Sequence, residues 1–267
     1  MTGVTERVSR LTWVRGALNR ESDTLVEEAP VALVYNGLSH VVMMATPADL
    51  EDLALGFSLS EGIIACPQQI LDCEVGAQAQ GLTVEITVTA ATFHSLKERR
   101  RHLTGRTGCG LCGVESLEQA LPRPTRVTGG FVTDHEALQR AVTALGHVQS
   151  LKRRTGAVHG AAWCSPGGDI EMMREDVGRH NALDKLLGGL RRAGQTGAGF
   201  ALISSRASYE MVAKAAKCNI PLLAAVSAPT ALAVRYAEAC GITLVGFLQR
   251  GRHVIYTHER RVAESRA

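Results

Sequence analysis

Apolar residues recur along this chain with two periods, and the switches between them mark out its elements. Residues 29–45, "APVALVYNGLSHVVMMA", alternate in two runs around "NGL", the pattern of two strands joined by a tight turn. In "TPADLEDLALGFSLSEG", Leu50, Leu53, Ala54 and Phe57 fall on one helical face. Thr46 is the expected cap of this helix, Pro47 suits its first turn and Gly62 its stop. "LTVEITVTA" alternates as a strand, and the basic stretch "HSLKERRRHL" and the short "VESLEQAL" read as helices. Two prolines in "LPRPTRV" mark a domain boundary. Beyond it, "TDHEALQRAVTALGHVQSLK" predicts one helix, with Thr133 and Glu136 as a capping box and Leu138, Val142, Leu145 and Val148 as its apolar stripe. "GAVHGAAWCSPGGDIEMMRED" predicts a hairpin turning at "SPGGD", followed by the helix "VGRHNALDKLLGGLRRAG". Two strand–helix units come next, "GFALISS" with "RASYEMVAKAAKCN" and "IPLLAAVS" with "APTALAVRYAEACG". "TLVGFLQ" and "HVIYTH" close the pattern as strands around "RGR". Strand–helix repetition of this kind predicts an α/β protein whose parallel-centred sheet is covered on both faces.

This pattern divides the 267 residues into a polar, loose arm over 1–26, a smaller α+β domain over 27–121 and an α/β domain over 127–262. A composition of 45% apolar and 21% charged residues supports a real core, and with 4% aromatics that core is aliphatic. The net charge of +3 argues against a general nucleic-acid binder. Neither a signal-peptide core nor an apolar run of membrane-spanning length is seen, so a cytoplasmic protein with no membrane contact is expected. Seven cysteines, an odd number, then point to a reducing compartment and free thiols.

Only Cys109 and Cys112 form a C-x-x-C, in "TGCGLCGVES". Four readings compete. Structural zinc needs four ligands, and no second pair supplies them. A thioredoxin-like dithiol opens a helix after a strand, whereas this pair follows a basic helix. Two small buried side chains would need neighbours that the surrounding glycines do not provide. The fourth reading is a sulfur-transfer loop, and the residue types favour it. Gly105, Gly108, Gly110 and Gly113 let the backbone take positive φ and swing. Lys97, Arg99, Arg100, Arg101 and Arg106 crowd the upstream side, where cations favour a thiolate.

Five stretches together carry a family resemblance: "LALGFSLSEGII", "TGCGLCG", "EDVGRHNALDK", "VSAPTALAV" and "GFLQRGRHVIYTH". Over about residues 28–260 the chain resembles the formate dehydrogenase accessory sulfurtransferases, the FdhD/NarQ sulfur carriers. The resemblance implies a C-terminal cytidine deaminase-like domain, three αβα layers around a mixed sheet. It implies sulfur received as a persulfide from a cysteine desulfurase. That sulfur passes to the molybdenum or tungsten bis-pterin guanine dinucleotide cofactor, molybdenum bis(molybdopterin guanine dinucleotide) being bound as substrate and destined for formate dehydrogenase. The active cysteine maps to Cys109, with Cys112 assisting, and the cofactor segment maps to Phe247, Leu248, Gln249, Arg250, Gly251 and Arg252. No permanent metal is expected, and a homodimer is. A zinc deaminase is disfavoured, because Ala161 stands where "VHGAA" would need its glutamate and no P-C-x-x-C follows.

A phosphate-bearing ligand suits strand ends that face helix N-termini. Ser204, Ser205, Arg206 and Ser208 occupy one such place, Ser227 and Thr230 the next, though for any single serine ordinary helix capping is the stronger reading. Arg206, Arg250 and Arg252 match phosphate through their guanidinium forks. Arg179 and His180 are candidate ligand contacts; the alternative is a solvated face with His180 paired to Asp184. A cofactor-binding chaperone or a redox dithiol protein without sulfur transfer is the competing function.

Overall fold

The computed structural model describes residues 3–104, 123–195 and 197–264, with side chains from 100 to 104 left aside. Cys109, Cys112 and the helix expected over "VESLEQAL" lie outside the described residues. In chain order the strands and helices are β1 (Thr5–Val14), β2 (Ala17–Val26), β3 (Ala29–Tyr35), β4 (Leu38–Ala45), α1 (Leu50–Ser60), β5 (Ile70–Gln78), β6 (Gly81–Val88) and α2 (Ala90–Thr104). They continue with β7 (Thr133–Asp134), α3 (His135–Val148), α4 (Ser150–Thr155), β8 (His159–Cys164), β9 (Ile170–Asp176), α5 (Arg179–Arg192) and β10 (Phe200–Ile203). The last are α6 (Tyr209–Lys217), β11 (Leu222–Ala225), α7 (Ala231–Cys240), β12 (Thr243–Gln249), β13 (Arg252–Thr257) and β14 (Val262–Ala263).

A six-stranded sheet ordered β13-β12-β11-β10-β8-β9 organises the second half. β10, β11 and β12 run parallel, and antiparallel strands flank them, so the sheet is mixed. Side chains alternate between its faces. Ala162, Cys164, Phe200, Leu202, Leu222, Ala224 and Val245 pack with Leu138, Ala141 and Leu145 of α3. Ala161, Trp163, Ala201, Ile203, Leu223, Ala225 and Leu244 share the opposite core with α5, α6 and α7. Both faces are thus buried, as the strand–helix repetition predicted. The first half is a four-stranded sheet ordered β4-β3-β6-β5, whose Val31, Leu33, Val84 and Ile86 join that second core.

One helix crossing joins the halves. A Cβ on Gly56 of α1 would lie 1.7 Å from the Asp184 carbonyl oxygen, and one on Gly188 of α5 would lie 1.9 Å from that of Asp52. Only glycine at both positions allows this approach. Polar groups seal the contact. Asp176 and Lys185 are fully buried, their charged atoms 2.6 Å apart. Lys185 also donates to the Thr46 carbonyl, and the Thr46 amide donates to Asp176. Arg174 and Arg192 converge on the buried carboxylate of Asp52.

Several expectations are corrected. Residues 5–26 are not a loose arm but a two-stranded ribbon, in which polar and apolar residues pair across the strands without a buried face to reveal them. Thr46 does not cap α1; Asp49 occupies that position, and the Thr46 hydroxyl accepts from the Val177 amide. The expected capping box is replaced by Asp134, whose carboxylate accepts from the Ala137 amide while Thr133 donates to the Pro166 carbonyl. The single helix over 133–152 breaks at Gln149 into α3 and α4. There the Glu175 carboxylate holds the free amides of Leu151 and Lys152. Val148 is 38% exposed, and Ala137 and Ala141 complete the buried stripe in its place.

Candidate functional site

Strands β10, β11 and β12 all deliver their C-terminal ends to one edge of the sheet, and α5, α6 and α7 begin there. Loops at this edge are stitched together by their own backbones. The Ala207 amide donates to Ala228, that of Thr230 to Ala207, and that of Phe247 to Ser227. Most hydroxyls predicted as ligand contacts are already engaged. Ser204 accepts from the Gly160 amide, Ser205 is buried and donates to the Arg206 carbonyl, and Thr230 caps α7. Only Thr230 is a helix cap; Ser204 and Ser205 brace the loop instead. Arg206 and Ser227 are exposed.

At the β9 end of this edge, Arg179 and His180 open α5. His180 Nε2 lies 3.0 Å from Glu210 of α6, and Arg179 Nη2 lies 4.0 Å from the same carboxylate. The expected His180–Asp184 pair does not form, because Asp184 turns to Lys214 at 2.9 Å and to Ser60 at 2.7 Å. Burial lowers the His180 pKa, and Arg179 adds to this against the pull of Glu210. His159, at the start of β8, is lowered by burial and then by Lys152 and Arg179. Lys214 is pushed the other way: burial lowers it, but Asp184 and Glu61 together outweigh burial. A cavity of about 360 Å³ lies between α1, α5 and α6, lined among others by Phe57, Ser60, Glu61, His180, Tyr209 and Lys214. Glu210 and Lys214 were missed in the sequence, where a charged residue in a short amphipathic helix carries no mark of what it meets.

The segment from Phe247 to Arg252 lies at the other end of the edge. Four strand spacings separate β12 from β9, roughly 19 Å. The predicted contacts therefore spread along the edge, with Ser205 and Arg206 beyond β10 midway, and a ligand touching both ends must stretch across it. Within the segment, the Leu248 side chain is fully buried in the α3-side core, which leaves only its backbone for a ligand. Phe247 and Leu248 together oppose His253, a β-bulge that puts Phe247 at φ +51°. The Arg252 guanidinium sits 5.5 Å from the Phe247 ring centroid. Gln249, Arg250 and Gly251 are exposed at the tip.

Arg179 Nε is buried with no hydrogen-bond partner among the described residues. An unpaired donor lies beside the β9 end and guanidinium groups lie at the β13 end, both of a kind that can meet an anion. The described cysteines suit sulfur chemistry poorly. Burial raises Cys73 to about 11 and Cys218 to about 12, and it raises Cys164 and Cys240 as well. Cys66 is the exposed exception.

A mixed sheet covered on both faces, with charged side chains along one loop edge, defines an α/β protein. The chain belongs to the FdhD/NarQ family, whose model matches residues 26–263 and so begins where the β1–β2 ribbon ends. A sulfur carrier protein FdhD from Cupriavidus necator is 53% identical over 264 residues, spanning 98% of this chain and 90% of the relative. Another, from Xanthomonas euvesicatoria, is 49% identical over 241 residues, 90% of this chain and 86% of the relative. Among solved structures, one described as a candidate formate dehydrogenase accessory protein from Desulfotalea psychrophila shares the fold, with a TM-score of 0.79 at 21% identity. That likeness covers 98% of this chain and 100% of the other. No described helix is long and apolar enough to cross a membrane.

Proposed function

We propose that this protein is a sulfur carrier in formate dehydrogenase maturation, taking persulfide sulfur from a cysteine desulfurase on Cys109. The observation that carries this reading is the identity of about half, over nearly the whole chain, to proteins named sulfur carriers. The Cys109 thiolate attacks the outer sulfur of the donor's persulfide; that S–S bond breaks, the donor leaves as a thiolate, and Cys109 becomes the persulfide. Release of sulfide needs two electrons. Cys112 supplies them by attacking the Cys109 sulfur, expelling sulfide and leaving a Cys109–Cys112 disulfide for a cellular dithiol to reduce. The acceptor is the molybdenum or tungsten bis-pterin guanine dinucleotide cofactor, bound as substrate along the sheet edge. Arg206, Arg250, Arg252 and Arg179 hold its phosphates, and Ser205 braces the loop that presents Arg206. His180, fixed by Glu210, faces the neighbouring cavity.

Formate dehydrogenase activity in cells lacking the native copy tests the reading. Cys109→Ala is expected to give none and Cys112→Ala a reduced level; full activity with Cys109→Ala would refute it. A guanine nucleotide should bind Arg250→Ala/Arg252→Ala roughly tenfold more weakly or worse, since hydrogen bonds to charged groups are each worth about 1.5–3 kcal/mol. Equal affinity in a titration would remove the tip from the site.

A further inference from the structure

The Arg250–Arg252 tip is tied to α3 by three side chains whose hydrogen bonds can run in one direction only. The Gly251 amide lies 2.7 Å from Gln139 Oε1, and an amide N–H can only donate, so the identity of that oxygen is forced. Gln139 Nε2 is then the donor end, 3.1 Å from His253 Nδ1 and 3.5 Å from the Arg252 carbonyl. His253 Nδ1 must accept, which places the His253 proton on Nε2. That nitrogen lies 2.8 Å from His135 Nδ1, which accepts in turn, so His135 also carries its proton on Nε2. The two rings stack with centroids 5.0 Å apart. Both imidazoles are neutral in this arrangement. A proton on His253 Nδ1 would face the Gln139 amide hydrogens, and one on His135 Nδ1 would face the His253 N–H.

We propose that Gln139, His253 and His135 are positioning residues: a one-way hydrogen-bond relay locks the Arg250–Arg252 tip in one orientation, and the tip's hold on a phosphate-bearing ligand depends on it. The ligand half of this proposal rests on the reading of the tip as a phosphate site given above; the relay stands on geometry alone. The Phe247–Leu248 bulge opposite His253 aims the imidazole at α3, and the relay and the Phe247 ring fix Arg252 from two sides. His135 is the titratable group that faces His253 from α3. Arg252, its neighbour on β13, is drawn to Phe247, Arg140 is engaged by the Gly167 carbonyl and Asp134, and Glu136 lines the groove beside Arg140. Burial and His135 both lower the His253 pKa, in keeping with a neutral ring.

Nitrogen NMR of the imidazoles in the full chain, just above neutral pH, should find both histidines in the Nε2–H tautomer. Gln139→Glu keeps an acceptor for the Gly251 amide but needs a donor from His253. It should move the His253 proton to Nδ1 and raise its pKa, which loss of packing alone would not do. Gln139→Ala should speed exchange of the Gly251 amide and weaken guanosine diphosphate binding roughly three- to tenfold, the cost of a tip no longer held in place. An Nδ1–H tautomer at His253 in the unaltered protein, or Gly251 exchange unchanged in Gln139→Ala, would overturn the relay. Binding of guanosine diphosphate that is equally tight in Gln139→Ala would overturn the tip's dependence on it. If the unaltered protein binds no guanosine diphosphate although the tautomers are as stated, the phosphate reading and the ligand half fall together while the relay stands.

Discussion

Lys185 shows how the dense charge of "EDVGRHNALDK" is divided between structure and chemistry. Its ammonium is fully buried against Asp176 and the Thr46 carbonyl. Removing one partner of such a pair leaves the other charge buried without compensation, at a cost of about 3–5 kcal/mol. Lys185→Met should therefore lower stability by that amount in urea unfolding, whereas a change within about 1 kcal/mol would mean that Asp176 finds another partner or a proton. Asn181 does similar work, donating to the Met44 carbonyl and to Asp176. Arg179 and His180 are the members of the stretch that face outward to Glu210 at the loop edge of the sheet. In the sequence these roles cannot be separated, because Thr46 and Met44, whose carbonyls Lys185 and Asn181 meet beside Asp176, lie more than a hundred positions away.

At the scale of elements, periodicity made most of the architecture legible. Strand runs such as "FALI" and "LLAA" are apolar throughout because both faces of the sheet are covered, and the strand–helix order then requires parallel pairing. What failed to show was set by contacts between distant residues. The break at Gln149 depends on the Glu175 carboxylate, and the β1–β2 ribbon lacks an apolar face. No residue of β5 is fully buried, and its partly buried positions, Ile70, Cys73 and Gly76, come every third residue, so the strand shows no alternation. Within the candidate site, "RGR" announced a cationic tip, but Gln139 and His135 sit on a helix that sequence alone does not bring to it. The α1–α5 crossing is likewise invisible until Gly56 and Gly188 meet. Gly56→Ala should destabilise by about 3 kcal/mol or more, the upper end of overpacking costs, since the atom met is backbone and cannot turn aside. A variant that melts with the unaltered protein would mean that the helices can separate without loss.

For the molecule as a whole, three histidines set a shared response to acid. His159, His180 and His253 all have pKa values lowered on folding, chiefly by burial. The unfolded chain binds protons at these sites first, near an ordinary histidine value of about 6.5, so stability falls as pH drops below that point. Thermal unfolding followed from neutral to mildly acidic pH should show this loss, smaller in a variant lacking the three imidazoles. A flat profile would mean that the rings titrate freely.

On the function proposed above, the sheet edge takes an anionic cargo and the C-x-x-C pair transfers sulfur, in keeping with burial that raises the pKa of four of the five described thiols. Peptide mass spectrometry after incubation with a cysteine desulfurase and free cysteine tests that most directly. A gain of about 32 Da, one sulfur atom, confined to the peptide bearing Cys109 and lost with a thiol reductant, is the predicted result. The same gain on Cys66 instead, or no gain on any cysteine, would contradict it.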